Sequence, residues 1–266
     1  MDPEGKVALV TGGGSGIGRA TALALARRGA MVVIADIDEN GGKETVRLAE
    51  EEGAKAAFIR TDVTKAEEIE RMVAFAEETF GGLDIAHNNA GVGTPQPRFP
   101  AAPRELWERT LAVDLWAVIA GVQAQAPALR RRGGGAIINT ASIAGAIGYQ
   151  PDPIYGAAKH GVVGLTRALV FLKDEANIRV NCVCPGVVDT PMIRAGYAHL
   201  SEDERAQRDA VIAQMPLIKP EEIADAVMEL ITDDSLAGEA MGVIANRGRR
   251  LIPPAIQFRR DPAQGT

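Results

Sequence analysis

The chain has 266 residues, of which 46% are apolar, 24% charged and only 4% aromatic, and its formal net charge is −6. That balance suits a single compact domain packed with small aliphatic side chains, and it excludes a disordered chain, a disulfide scaffold and a basic nucleic-acid-binding surface. No basic segment followed by an apolar stretch opens the sequence, and no apolar run reaches the length of about 18 needed to cross a bilayer. A soluble cytoplasmic protein with no nucleic-acid and no membrane partner is expected.

The first element is the apolar run Val7-Ala8-Leu9-Val10, read as a strand and followed by the segment TGGGSGIGRA, Thr11 to Ala20. A helix over 17–28 leaves Gly12 to Gly16 as the turn between them. Glycines there permit unusual φ values and let a phosphate approach the backbone, while the helix N-terminus offers unpaired N–H groups and a partial positive charge. The spacing is Gly12-x-x-x-Gly16-x-Gly18, so the commoner G-x-G-x-x-G fingerprint is not met and the context carries the argument. The next strand, 31–35, ends at Asp36, 20 residues after Gly16, where a carboxylate can hydrogen-bond the ribose of an adenosine. A dinucleotide therefore lies against the loop. Asp36 would repel a 2'-phosphate, Arg19 belongs to the first helical turn, and no Lys or Arg sits within the turn or directly after Asp36, so NAD is expected as cofactor rather than NADP.

Helices over 39–52 and 65–79 alternate with strands at 56–59 and 83–86. A long helix over 103–131 closes on Arg130-Arg131-Arg132 before Gly133-Gly134-Gly135, which reads as cations in a last helical turn with a glycine stop rather than as a nucleic-acid patch. A strand at 136–139 leads through Ser142 to a helix over 154–173, and Asp152 is read as its N-cap in preference to a substrate contact. In the strand 178–183, Cys182 and Cys184 share one face and have no second ligand pair; with His87, His160 and His199 scattered, no metal site is expected. Residues 190–216 read as a lid over the substrate, in which Met192, Ile193, Tyr197, Leu200, Ile212 and Met215 either line an apolar pocket or pack the lid onto the body. A helix over 220–232, entered through Pro220, and a strand at 241–244 complete the pattern. The alternation predicts an α/β fold, a doubly wound parallel sheet of about seven strands with helices on both faces. One domain over 1–251 and a tail over 252–266 follow.

Tyr155 and Lys159 are four residues apart and stack on one helical face. Ser142 precedes Tyr155 by 13 residues and stands just past a strand, at the carboxyl end of the sheet where such folds bind ligands. Moving a hydride between an alcohol carbon and nicotinamide requires a partner for the hydroxyl proton, and Tyr155 is placed to be it. A phenol with a pKa near 10 needs a depression of about three units, or about 4 kcal/mol, to work near neutrality. One cation about 4 Å away in bulk water supplies only about 1 kcal/mol. Lys159 must therefore act from a partly desolvated pocket, helped by the positive charge of oxidised nicotinamide.

Taken together, these marks resemble the short-chain dehydrogenase/reductase family from about Gly5 to Leu251. They are TGGGSGIG at 11–18, Asp62-Val63, Asn88-Asn89-Ala90-Gly91, Ser142, Tyr155 with Lys159, and Pro185-Gly186 with Thr190. The resemblance implies cofactor contacts from Gly12, Ser15, Gly16, Ile17 and Gly18, from Asp36, from Asp62 and Val63 at the adenine, and from Asn89, Ala90 and Gly91. It implies further contacts from Tyr155 and Lys159, and from Pro185, Gly186, Val188 and Thr190 beside the nicotinamide. The implied activity is the interconversion of a secondary alcohol and a ketone with NAD, using Ser142, Tyr155 and Lys159. An NADP-dependent carbonyl or 3-oxoacyl thioester reductase, or a non-catalytic dinucleotide-binding regulatory protein, are the alternatives. Asp114 stands where the family usually has an Asn that helps a proton relay from the active-site Lys; it is counted with the catalytic set, and an ionised carboxylate there would stabilise the ammonium. Pro153-Ile154-Tyr155 and the segment Asp233 to Leu236 resemble the prostaglandin 15-dehydrogenase branch, a likeness that does not assign a prostaglandin substrate. Family members commonly pair through the two long helices, and the second carries Val162, Val163, Leu165, Leu169, Val170, Phe171 and Leu172, so a homodimer or homotetramer is expected.

Overall fold

The computed structural model describes residues 1–195 and 201–254. In chain order the strands and helices are β1 (Val7–Thr11), α1 (Gly16–Arg27), β2 (Met31–Asp36), α2 (Glu39–Glu51), β3 (Ala56–Arg60), α3 (Ala66–Phe80), β4 (Ile85–Asn88), α4 (Arg104–Leu111), α5 (Ala117–Arg131), β5 (Gly135–Thr140) and α6 (Pro153–Ala168). Then follow α7 (Leu172–Ala176), β6 (Ile178–Pro185), α8 (Pro191–Ala195), α9 (Glu202–Ala213), α10 (Pro220–Thr232), β7 (Ala240–Ile244) and β8 (Gly248–Leu251).

The strands form one sheet in the order β3-β2-β1-β4-β5-β6-β7-β8. Every pair is parallel except β7 with β8. Because both faces are covered at the centre of the sheet, β1, β4, β5 and β6 are buried on both sides and alternate residues feed separate cores. Ala8 and Val10 of β1 pack with Leu25 of α1 and Ile223 and Val227 of α10. Val7 and Leu9 face the other way, to Ile69 and Met72 of α3 and Val122 and Leu129 of α5.

β1 pairs with both β2 and β4, so the chain reverses its winding between β1 and β4. A crevice opens beyond the carboxyl ends of the strands at such a point. The register brings Thr11, Asp36, Asn88, Thr140 and Pro185 to that same edge, through the pairs Thr11 with Ala35, Asp36 with Arg60, Asn88 with Asn139, Thr140 with Val183 and Pro185 with Val243.

Four features depart from the sequence expectation. The fourth strand begins at Ile85 rather than Leu83 and runs into the polar pair His87-Asn88, which is buried because Asn88 bonds Gln125 and Asn139 and His87 bonds Thr140. The expected helix over 103–131 is broken by a π turn at Ala112–Trp116. By length and composition Arg104–Arg131 is apolar enough to cross a membrane, but here it packs on α3 and the sheet. The expected helix over 154–173 ends at Ala168 and continues through a 3₁₀ turn into α7. Finally, β8 adds an eighth, antiparallel strand formed by the arginine-containing segment, with all four residues exposed. Arg131 and Arg132 at the end of α5 pair with Glu77 and Asp84 before Gly133 turns at φ 86°.

Candidate active site

The glycine loop is shaped by backbone demands. Gly12 and Gly16 have φ of 62° and 50°, a region that side chains with a Cβ enter at a cost. A Cβ on Gly16 would lie 2.9 Å from the Thr190 side chain. At Gly18 it would lie 2.1 Å from the Gly12 carbonyl oxygen and 2.7 Å from Asn89 Nδ2, so Gly18 lets α1 close onto the loop and onto β4. Gly18→Ala is expected to push the loop out of place and weaken NADH binding by at least about tenfold, a loss on the scale of one charge-assisted hydrogen bond; a fluorescence titration with NADH checks it, and unchanged affinity would refute it.

Ser15 caps α1 in an extended conformation without using its side chain, and the first turn of the helix carries no acidic residue. The N–H groups and the Ser15 hydroxyl are therefore open to an anion. Asp36 accepts from Gly14 N at 2.7 Å and from Asp38 N at 2.9 Å, which holds its carboxylate at the loop. Arg19 donates to Thr45 Oγ1 at 3.0 Å and to the Gly14 carbonyl, knitting the loop to α2. Across the switch point, Asn89 N and Ala90 N both donate to Thr11 Oγ1, at 2.9 and 3.1 Å.

A cleft of about 760 Å³ runs along this edge, from Asp36, Ile37 and Asp62 past Gly12, Ser15 and Gly16 to Ser142, Tyr155 and Met192. Its volume, its bare helix N-terminus and the Asp36 carboxylate in its lining fit a dinucleotide. Ile17, Val63, Asn89, Ala90, Gly91, Lys159, Pro185, Gly186, Val188 and Thr190 also line it. Two expected site residues do not: Gly18 serves packing, and Asp114 is fully buried behind Lys159. From the expected lid, Met192 and Ile193 reach the cleft, while Ile212 is buried elsewhere and Met215 is exposed. Tyr197, His199 and Leu200 lie outside the described residues, as do 255–266 of the tail.

At the inner end, α6 is started by Pro153 at its first turn and by Asp152, whose Oδ1 accepts from Tyr155 N at 3.0 Å. The other oxygen accepts from Thr94 N at 2.8 Å, so both are committed to backbone donors. That placement sends Tyr155 into the cleft and Lys159 one turn deeper. Tyr155 is half-buried and meets the Tyr149 ring edge-on at 6.1 Å between centroids. Ser142 Oγ accepts from Ala144 N at 3.1 Å. The Lys159 ammonium donates to the Thr140 carbonyl at 2.9 Å, lies 3.0 Å from Asp114 Oδ1 and sits 5.5 Å from the Tyr155 ring centroid.

Burial pushes the Tyr155 phenol above its ordinary value; Lys159 pulls it down, Asp114 pushes it up and Ser142 favours the phenolate. Burial would lower the Lys159 ammonium, but Asp114 and then Tyr155 more than offset it, and the lysine is held cationic. Burial raises the Asp114 carboxyl against the pull of Lys159. His87, fully buried, is pushed down to about 3 and is neutral. Cys182 and Cys184 are free and buried on β6.

The segment Ile143 to Asp152, which the sequence reading sets facing the lid, brings Ile143, Ile147 and Tyr149 to the cleft; Arg109 also lines it and carries no signal in the sequence. The Thr140 carbonyl that holds Lys159 had no sequence signal at all, since a backbone acceptor leaves no mark on residue type.

The switch-point crevice, the glycine loop and the carboxylate at the end of β2 define a nucleotide-binding protein of the doubly wound α/β class. The chain matches the short chain dehydrogenase family over residues 6–230. It is 41% identical over 230 residues to a cyclohexanol dehydrogenase of Acinetobacter sp. (strain SE19), covering 86% of this chain and 89% of that one. It is 34% identical over 259 residues to the mouse (Mus musculus) 15-hydroxyprostaglandin dehydrogenase [NAD(+)], covering 93% of each chain. Among solved structures, levodione reductase superposes with a TM-score of 0.84 at 30% identity, covering 92% of this chain and 98% of that one. The chain belongs to the short-chain dehydrogenase/reductase family of NAD(P)-using oxidoreductases.

Proposed function

We propose that this protein is an NAD-dependent dehydrogenase that interconverts an apolar, ring-bearing secondary alcohol and its ketone, with Tyr155 as the acid/base. The observation that carries the reading is the convergence of Ser142, the Tyr155 phenol and the buried Lys159 ammonium at the inner end of the cleft. Gly12, Ser15, Gly16 and Ile17 would hold the pyrophosphate, Asp36 the adenosine ribose, Asp62 and Val63 the adenine, and Pro185 to Thr190 the nicotinamide end. When bound, the nicotinamide accepts or returns the hydride. Ser142 orients the substrate oxygen, Tyr155 takes or gives its proton, and Lys159 steadies the phenolate. Ile143, Ile147, Tyr149, Met192 and Ile193 give the substrate end an apolar wall, and the similarity to a cyclohexanol dehydrogenase supports a cyclic alcohol.

Asp36 supports NAD, as does the cofactor in the name of the prostaglandin dehydrogenase relative. A panel of cyclic and linear secondary alcohols and ketones, assayed with both cofactors by reduced-nicotinamide absorbance, tests the reading; preference for NADP, or no turnover of any member, would overturn it. In the same assay Asp36→Ala is expected to narrow the NAD preference in kcat/KM by about tenfold, since one charge-assisted hydrogen bond is worth about 1.5–3 kcal/mol. An unchanged ratio would free Asp36 from the discrimination.

The reading includes one domain over 1–251, with 190–216 closing over the substrate and 252–266 as a tail. It also includes a soluble, cytoplasmic homodimer or homotetramer. Trp116 and Ile119, together with Val170 and Phe171, leave between 41% and 47% of their surface exposed beside the two long helices, which supports self-association there.

A further inference from the structure

Behind the cleft lies a buried ion pair that the proposed reaction does not by itself require. Asp114 is fully buried and Lys159 is 2% exposed, and their charged atoms are 3.0 Å apart. The π turn at Ala112–Trp116 carries Asp114, and Val92 N donates to its other oxygen at 3.1 Å. A Cβ on Gly91 would come within 2.9 Å of Asp114 Oδ1, so the bare backbone of Gly91 makes room for the carboxylate. The ammonium is thus shared between Asp114, the Thr140 carbonyl and the space under the Tyr155 ring.

We propose that Asp114 is a positioning residue that sets the proton affinity of Tyr155 by neutralising the field of Lys159, so that Tyr155 becomes a competent base toward alkaline pH. This rests on the proposed role of Tyr155 and deepens it. An ammonium alone beneath a phenol favours the phenolate; an ammonium with a carboxylate 3.0 Å away presents a dipole whose negative end opposes that effect. Other groups face the pair among the described residues. Tyr149 meets Tyr155 edge-on, Asp152 commits its oxygens to Thr94 N and Tyr155 N, and Cys184 lies on β6 near Ser142 and Lys159. Beyond Thr140 stands the neutral His87. Arg109 also lines the cleft, yet the cation acting on the Tyr155 phenol is Lys159.

Asp114→Asn separates charge from shape. An amide has one acceptor oxygen for two donors, so an Asn that keeps Val92 N turns its own N–H groups toward Lys159 and leaves the ammonium to Tyr155 and Thr140. The chain contains three tyrosines, so tyrosinate formation can be followed by ultraviolet difference absorbance without cofactor or turnover, and Tyr155→Phe identifies the transition of Tyr155. The expected result is that Asp114→Asn lowers that transition by about one pH unit, tenfold in phenolate fraction, and moves the acidic limb of kcat/KM for alcohol oxidation down with it. A folded Asp114→Asn whose Tyr155 titrates as in the unaltered protein would overturn the proposal. So would a Tyr155 transition in the unaltered, cofactor-free protein at or below the ordinary phenol value of about 10, a measurement that needs no Asp114 variant. A normal titration shift with no turnover in the alcohol panel would instead overturn the reading of function and leave the electrostatic one standing.

Discussion

Tyr155→Phe is expected to lower alcohol turnover by on the order of 10³-fold, within the span of about 10² to 10⁴ that a positioned acid/base contributes. The ring keeps its edge contact with Tyr149, 6.1 Å between centroids, and α6 keeps its Asp152 cap, because that cap is made to the backbone N–H of residue 155 and not to its side chain. Ser142 retains its bond from Ala144 N. Only the hydroxyl that exchanges the substrate proton is removed. NADH affinity is expected to stay within about twofold, less than the roughly 1.4 kcal/mol that a tenfold change represents, because the glycine loop, Ser15 and Asp36 lie at the far end of the cleft. Steady-state assays and a fluorescence titration with NADH separate the two effects. Retained turnover would remove Tyr155 from the chemistry; a large parallel loss of NADH affinity would make its role one of binding.

The second large effect is on stability. Lys159→Met removes the only charge that compensates Asp114 among the described residues, and Asp114 has no exposed surface. Breaking a buried pair from one side typically costs about 3–5 kcal/mol, which would show as a fall in the urea midpoint with an unchanged slope. The sign of the pH dependence follows from linkage. With Lys159 gone, burial raises the folded-state pKa of Asp114 still further, so the folded form holds a proton that the unfolded form releases above about pH 4. The variant should therefore be least impaired in acid, and its stability should fall as pH rises from the unfolded value toward the raised folded one. Adding Asp114→Asn removes the orphaned charge while keeping the side chain's volume and an acceptor for Val92 N, so the double variant should recover most of the loss while remaining inactive. A single variant as stable as the unaltered protein at neutral pH, or a double variant no better than the single, would show that the pair is not the buried, mutually dependent unit described above.

How much of this was legible in the residues depends on how local the determining contact is. The glycine loop was readable because Gly12 and Gly16 need positive φ, a property of the residue type itself. The stacking of Tyr155 and Lys159 follows from helical periodicity, and Asp152 as N-cap from a side chain reaching a backbone N–H three residues on. Arg19 was placed correctly in the first turn of α1, where it donates to Thr45 Oγ1 and the Gly14 carbonyl. The reading erred or was silent where the partner lay far along the chain. The expected strand at 83–86 stops short of His87 and Asn88, whose partners Gln125, Asn139 and Thr140 are 37 to 53 residues away. The π turn within Arg104–Arg131 and the eighth strand carry no periodic signal.

The sequence by itself therefore determined the alternation of strands and helices, the glycine loop with Asp36 beside it, and the stacking of Tyr155 with Lys159 on one helix, because each depends on φ preferences, short-range periodicity or residue type. Only the tertiary structure decided that Gly18 serves packing and not the cleft, that the Thr140 carbonyl anchors Lys159, and that Asp114 meets that lysine as a buried counter-ion. Those outcomes hinge on which strands are neighbours at the reversal between β1 and β4 and on where a helix is locally underwound into a π turn. They are settled by the packing of segments distant in the chain, and a backbone carbonyl or a vanished Cβ contributes to that packing without any trace in the local pattern of residues.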